Sequence, residues 1–189
     1  MIHIDVESGL IRGARQVASQ NFDDRPADCC AELIIVHGIS LPPGEFGGEW
    51  IDRLFMNSID PEVHPYFREI VDLRVSSHLL IRRDGELVQY VPLNKRAWHA
   101  GISCYRDREQ CNDYSIGIEL EGTDEIPYTD GQYEALGMVI QALRTAVPSL
   151  GNAPVVGHCD VAAGRKTDPG PAFDWQRLFA RLATPGLTE

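Results

Sequence analysis

Four large apolar residues in succession, Leu33, Ile34, Ile35 and Val36, close on a histidine, His37. A strand with one wet face alternates apolar and polar positions, whereas an unbroken apolar run belongs to a strand covered on both faces. A chain with such a strand must supply a layer on either side of its sheet. The segment SIGIELEG at 115–122 alternates instead, placing Ile116, Ile118 and Leu120 on one face and Gly117, Glu119 and Glu121 on the other. In HLLIRRDGELVQYV, at 78–91, Asp84-Gly85 between apolar stretches predicts a β-hairpin. The loop-forming LPPGEFGG precedes WIDRLF, whose spacing predicts a short helix. Thr129 and Gln132 form a capping-box pair ahead of apolar residues at Tyr133, Leu136, Ile140, Leu143 and Val147, and Pro148 ends that helix. A short strand at 154–156 leads to His158, and Asp174 is expected to cap a last helix burying Trp175, Leu178, Phe179 and Leu182. Residues 1 to about 31 read as a polar, irregular N-terminal arm around the first strand. Mixed elements with a hairpin predict an α/β fold, with a central mixed β-sheet flanked by helices, rather than a purely parallel doubly wound sheet. With no repeat or linker, residues 1–189 read as a single domain.

At 189 residues and 21.0 kDa the chain can bury a sizeable core without disulfides or a structural metal. A net charge of -11 argues against a nucleic-acid partner, because a phosphate backbone selects a basic surface. Five cysteines, an odd number without a C-x-x-C pair, fit reduced thiols better than a secreted disulfide framework. The N-terminus lacks a basic segment followed by a long apolar one, and no run approaches the ~18 apolar residues of a membrane span. These features predict a cytoplasmic, monomeric protein with no membrane partner.

His37, with His158 and Asp168 in GHCDVAAGRKTDPG, offers two imidazoles and a carboxylate. That set suits zinc, and three protein ligands leave a fourth tetrahedral position for water, as in catalytic rather than structural sites. Zinc lowers the pKa of a bound water from ~15.7 to ~7, so hydroxide becomes available at neutral pH. The spacing alone is not diagnostic, since six histidines allow several such triples. Asp168 in TDPG also suits the start of a turn, His158 a hydrogen-bonded core position, and Asp160 is a second oxygen donor near His158. His2Asp sites also accept other first-row metals.

Four motifs in order, VHGISLPPGEFG, RAWHAG, NDYSIGIELEGTD and GHCDVAAGRKTDPGPAFDW, resemble the AmpD branch of the zinc-dependent N-acetylmuramoyl-L-alanine amidases, from about residue 22 to Trp175. The chain is similar, more distantly, to T7 lysozyme and the peptidoglycan recognition proteins. The resemblance implies their shared fold and one catalytic zinc ion held by His37, His158 and Asp168. It implies cleavage of the amide between the lactyl group of N-acetylmuramic acid and L-alanine of the stem peptide. The branch's preferred substrate is a soluble 1,6-anhydromuropeptide recovered in cytoplasmic cell-wall recycling, with an indirect influence on β-lactamase induction where a host has that circuit. Glu119 in GIELEG matches the family's catalytic carboxylate and Lys166 in RKTDPG its active-site lysine. Two departures stand out: Gly38 replaces an asparagine, and AAGRK replaces APERK, Gly164 freeing the backbone of the loop that carries Lys166.

On this reading Glu119 takes the proton of the attacking water and passes it to the leaving amine, while Lys166 stabilises the oxyanion. Glu121 is the rival carboxylate, and Cys159 is expected to be a small buried side chain. Trp98 and His99 are assigned to the substrate wall, Trp98 serving equally well as core packing. An acidic protein binding peptide carboxylates needs locally placed cations, for which Arg74 and then Arg108 are the candidates. Two other functions use the same architecture: a non-catalytic muropeptide sensor, which the complete ligand set argues against, and an amidase acting on polymeric wall, for which neither an export signal nor a wall-binding module is seen.

Overall fold

A computed structural model describes residues 2–183. Along the chain run β1 (His3–Asp5), β2 (Leu10–Arg12), β3 (Arg15–Gln16), β4 (Phe22–Asp23), β5 (Leu33–Ile39), α1 (Trp50–Phe55), α2 (Phe67–Ile70), β6 (Leu79–Ile81) and β7 (Leu87–Gln89). There follow β8 (Arg96–Ala97), β9 (Cys104–Tyr105), β10 (Arg108–Glu109), β11 (Ser115–Glu121), α3 (Asp130–Ala146), β12 (Val155–Gly157), α4 (His158–Val161) and α5 (Trp175–Ala183). Six strands form the central sheet in the order β12-β5-β11-β6-β7-β3. It is mixed, as expected: β12, β5, β11 and β6 are parallel, and β7 returns antiparallel to β6. The hairpin turns where Gly85 adopts φ +90°, a conformation that Asp-Gly turns supply at little steric cost.

The apolar run of β5 is covered on both faces. Ile34 and Val36 join the large cluster under α3, while Leu33 and Ile35 pack with Ala100, Tyr114 and Val161 on the opposite side. Ile116, Ile118 and Leu120 of β11 face α3, and Leu136, Ile140 and Leu143 of that helix are fully buried against them. Thr129 Oγ1 accepts from the Gln132 N–H and Gln132 Oε1 from the Thr129 N–H, so both halves of the capping box are formed. On the other side of the sheet, Ile51, Leu54 and Phe55 of α1 and Phe67 and Ile70 of α2 pack over Leu80, Val88 and Tyr90.

Three expectations are corrected. The N-terminal segment is not irregular: β1 and β2 form a hairpin in which Ile4 and Ile11 are in-register partners buried in the main cluster. Gln89 holds it in place, accepting from the Ile11 N–H at 2.8 Å and donating to Gly9 O at 2.8 Å. One buried residue per three-residue strand is too short a pattern to read as periodicity. Asp174 does cap α5 through the Arg177 N–H, but Leu178 is the buried anchor and Phe179 is 47% exposed, stacked on Trp175. Adjacent helix residues point about 100° apart, so a helix lying on α3 along one narrow line cannot bury both. Cys159 is half-buried rather than enclosed. Among the described residues no helix is long and apolar enough to cross a membrane.

Candidate metal centre and catalytic cleft

Strand register builds the centre. β11 pairs with β5 so that Glu119 stands beside His37, both on the face away from α3. In-register partners on neighbouring strands share a face. β12 pairs with β5 up to Gly157 opposite Val36, so the next residue, His158, arrives beside His37 as α4 begins. Three residues from distant parts of the chain thus fall in one row at the carboxyl ends of three parallel strands, where open α/β sheets place their ligand sites. Asp168 is brought back by its own carbonyl, which accepts from the Cys159 N–H at 3.0 Å. The Gly38 N–H points at Asp168 Oδ2 from 3.4 Å.

His37 Nδ1 and His158 Nδ1 lie 3.0 Å apart, and Asp168 Oδ2 lies 3.1 Å from His158 Nδ1 and 3.4 Å from His37 Nδ1. Tetrahedral zinc with bonds of ~2.0–2.1 Å sets its ligand atoms ~3.3 Å apart, so this triangle matches the spacing that such an ion requires. The ring nitrogens facing away are also occupied, His158 Nε2 by Ala100 O at 3.2 Å and His37 Nε2 by His99 Nδ1 at 2.9 Å. Burial pushes the His37 imidazole down to about 4 against the pull of Asp168. Burial alone would raise the Asp168 carboxyl, but the His158 and His37 rings beside it outweigh burial and hold that carboxyl far below the usual carboxylate range. A neutral His37 imidazole beside an ionised carboxylate matches the protonation states that a metal needs.

The carboxylates separate into distinct roles. Glu121 accepts from the Gly47 N–H at 2.6 Å and the Arg83 N–H at 3.1 Å and pairs with buried Arg82 at 3.3 Å, so it anchors the loop before α1. Asp160 accepts from the Gly157 N–H at 2.7 Å and caps α4. Glu119 has no such partners: its buried Oε2 is without a hydrogen bond. Burial, reinforced by Asp168 and opposed by Lys166, raises its carboxyl well above the ordinary value. A buried, unpaired carboxyl at the cleft, with raised basicity, is suited to proton transfer.

The cleft, of about 610 Å³, is lined by His37, His158, Asp168, Glu119 and Lys166, and also by His99 and Arg165. Lys166 is exposed to solvent. His99 lines the cleft behind His37, and both its ring nitrogens bond to protein atoms, His37 Nε2 and Ser115 Oγ. Trp98 does not line the cleft, and its indole helps Arg96 hold the Asp23 carboxyl low. Arg108 also lies outside the lining, paired with Glu32 at 2.9 Å and stacked over Tyr114. Arg74 is exposed between two lining residues, Leu73 and Val75, its Nη1 donating to Val71 O and Leu73 O. Arg165, not singled out in the sequence, donates from Nη2 to Ala100 O at 2.6 Å and Ile102 O at 2.7 Å. Its place beside Lys166 in GRKTDPG was the available signal. Gly38 has a structural reason: the Tyr128 hydroxyl, donating to Pro169 O at 3.0 Å, fills the space that a side chain there would take.

Three convergent side chains that could hold a metal ion, beside an unpaired buried carboxylate, match the arrangement used by metal-dependent hydrolases. Residues 28–171 match the N-acetylmuramoyl-L-alanine amidase family, and the chain belongs to it. It is 61% identical over 173 residues to the 1,6-anhydro-N-acetylmuramyl-L-alanine amidase AmpD of Escherichia coli (strain K12), a match spanning 92% of this chain and 94% of that one. It is 59% identical over 180 residues to AmpD of Citrobacter freundii, spanning 95% of each chain. The crystal structure of a selenomethionine AmpD derivative is 58% identical and superposes with a TM-score of 0.91, covering 95% of this chain and 99% of that one. The fold is therefore the amidase fold that the sequence motifs imply.

Proposed function

We propose that this amidase hydrolyses the bond between the lactyl group of 1,6-anhydro-N-acetylmuramic acid and L-alanine of the stem peptide. The substrate is a soluble anhydromuropeptide, and the enzyme works as a cytoplasmic monomer in peptidoglycan recycling. The observation that carries this reading is the row of Glu119, His37 and His158, closed by Asp168, in a cleft large enough for a small glycopeptide. The names of relatives at 61% and 59% identity supply the substrate class.

His37 Nδ1, His158 Nδ1 and Asp168 Oδ2 would hold one zinc ion, which when bound polarises the scissile carbonyl and lowers the pKa of water. Glu119 receives the proton of the attacking water. Burial raises its basicity, and the same carboxyl then delivers that proton to the leaving amine nitrogen. Lys166 sets a positive charge against the developing oxyanion. Arg74, at the cleft rim, anchors a peptide carboxylate. The test is mass spectrometry of 1,6-anhydro-N-acetylmuramoyl-tripeptide incubated with the zinc-loaded protein. Free tripeptide and anhydromuramic acid are expected; intact substrate would overturn the reading.

A further inference from the structure

His37, His99 and Ser115 form a chain of hydrogen bonds that ends on a backbone carbonyl. Ser115 Oγ lies 2.6 Å from Cys111 O and 3.1 Å from His99 Nε2, and His99 Nδ1 lies 2.9 Å from His37 Nε2. A carbonyl oxygen cannot donate, so the proton between it and Ser115 Oγ is the serine's own. Ser115 Oγ must then accept from His99, which puts the single proton of that neutral ring on Nε2. His99 Nδ1 is left as an acceptor, and His37 must donate to it from Nε2. The remaining nitrogen of His37, Nδ1, therefore presents its lone pair toward His158 Nδ1 and Asp168 Oδ2. His158 is set independently, its Nε2–H donating to Ala100 O.

We propose that His99 and Ser115 are positioning residues: the Cys111 carbonyl dictates, through Ser115 and His99, the tautomer of His37 that can bind a metal. This inference rests on the zinc reading of the centre and adds to it the device that presets a ligand. Space is reserved for the device, since a Cβ on Gly117 would come within 2.5 Å of the His99 ring. Outer partners of this kind fix ring orientation and typically change metal affinity by about 10–100-fold when removed.

The test has two readouts. Ring 15N NMR of the metal-free protein reports tautomers directly, and chelator competition gives the Kd for zinc. Wild type is expected to carry the proton on Nε2 of both His37 and His99. Ser115→Ala, a small change inside a strand, removes the acceptor at the end of the chain; it is expected to mix the His99 and His37 tautomers and weaken zinc binding by roughly 10–100-fold. At position 99 the polarity itself is tested. Gln presents an oxygen toward His37 and an NH2 toward Ser115, so His99→Gln should bind zinc near the wild-type level while His99→Leu falls with Ser115→Ala. Unchanged tautomers and Kd in Ser115→Ala would overturn the proposal, as would equal weakening by Gln and Leu at 99. Wild type showing the stated tautomers but taking up no zinc would instead refute the metal reading, and with it the ligand role given to the relay.

Discussion

Glu119→Gln keeps the side chain's length and removes its charge, so it separates proton transfer from metal binding. Glu119 is not among the three side chains placed to hold a metal, and zinc content should stay at the wild-type level. Turnover should fall by about 10²–10⁴-fold, or ~3–5 kcal/mol of lost transition-state stabilisation, the usual contribution of a positioned acid–base group. The buried, unpartnered Oε2 adds a stability consequence of definite sign. Burial raises the folded carboxyl's pKa, while in the unfolded chain it titrates near ~4.3. Between those values the unfolded chain releases a proton that the folded chain keeps, so the metal-free wild type loses stability as pH rises through that window. Glutamine has no such dependence. The variant's advantage in the metal-free protein should therefore be absent below about pH 4 and grow toward neutrality. Mass spectrometry of the reaction, zinc content and urea unfolding at several pH values read the three quantities. Near-wild-type turnover, loss of zinc, or a stability difference independent of pH would each refute the reasoning.

Lys166→Met should lower kcat with zinc retained; because Lys166 is exposed, the loss should fall below the ~10²–10³-fold seen when an oxyanion donor is removed from a closed site, and single-turnover kinetics measure it. Arg74→Ala should raise KM for the anhydromuropeptide with little change in kcat, and an unchanged KM would remove Arg74 as the carboxylate anchor. Leu178→Ala, at the fully buried contact of α5, should cost about 2–5 kcal/mol in urea unfolding. Gly38→Asn should displace Tyr128 from its bond to Pro169 O and destabilise by roughly 1–3 kcal/mol in thermal melts, with part of that loss recovered when Tyr128→Phe is added.

Much of the fold was legible because its signals are local. The apolar run of β5, the alternation of β11, the Asp84-Gly85 turn and the Thr129/Gln132 cap each involve residues within a few positions of one another. Where burial depended on a distant partner, reading failed: Ile4 and Ile11 are core only because Gln89 and the α3 layer cover them, and Phe179 is exposed because Leu178 takes the contact with the core. The site divided in the same way. Residue types and motif order, through the family resemblance, pointed to His37, His158 and Asp168. Trp98, placed by motif, and Arg108, placed by its charge, stand outside the cleft, while Arg165 lines it.

What the amino-acid sequence determined by itself was the elements with local signals, the layered α/β class and the chemistry available to the chain. Only the tertiary structure decided which carboxylate is unpaired, and how His37 and His158, 121 residues apart, bring their Nδ1 atoms within 3.0 Å of each other. Glu119 and Glu121 point the same way from one strand and are equivalent in sequence; Arg82 and the backbone N–H groups of Gly47 and Arg83 occupy Glu121 and leave Glu119 without such partners. The physical reason is range. Side-chain alternation and capping act over a few residues, whereas strand register, burial and hydrogen-bond polarity are fixed by partners that only folding brings together.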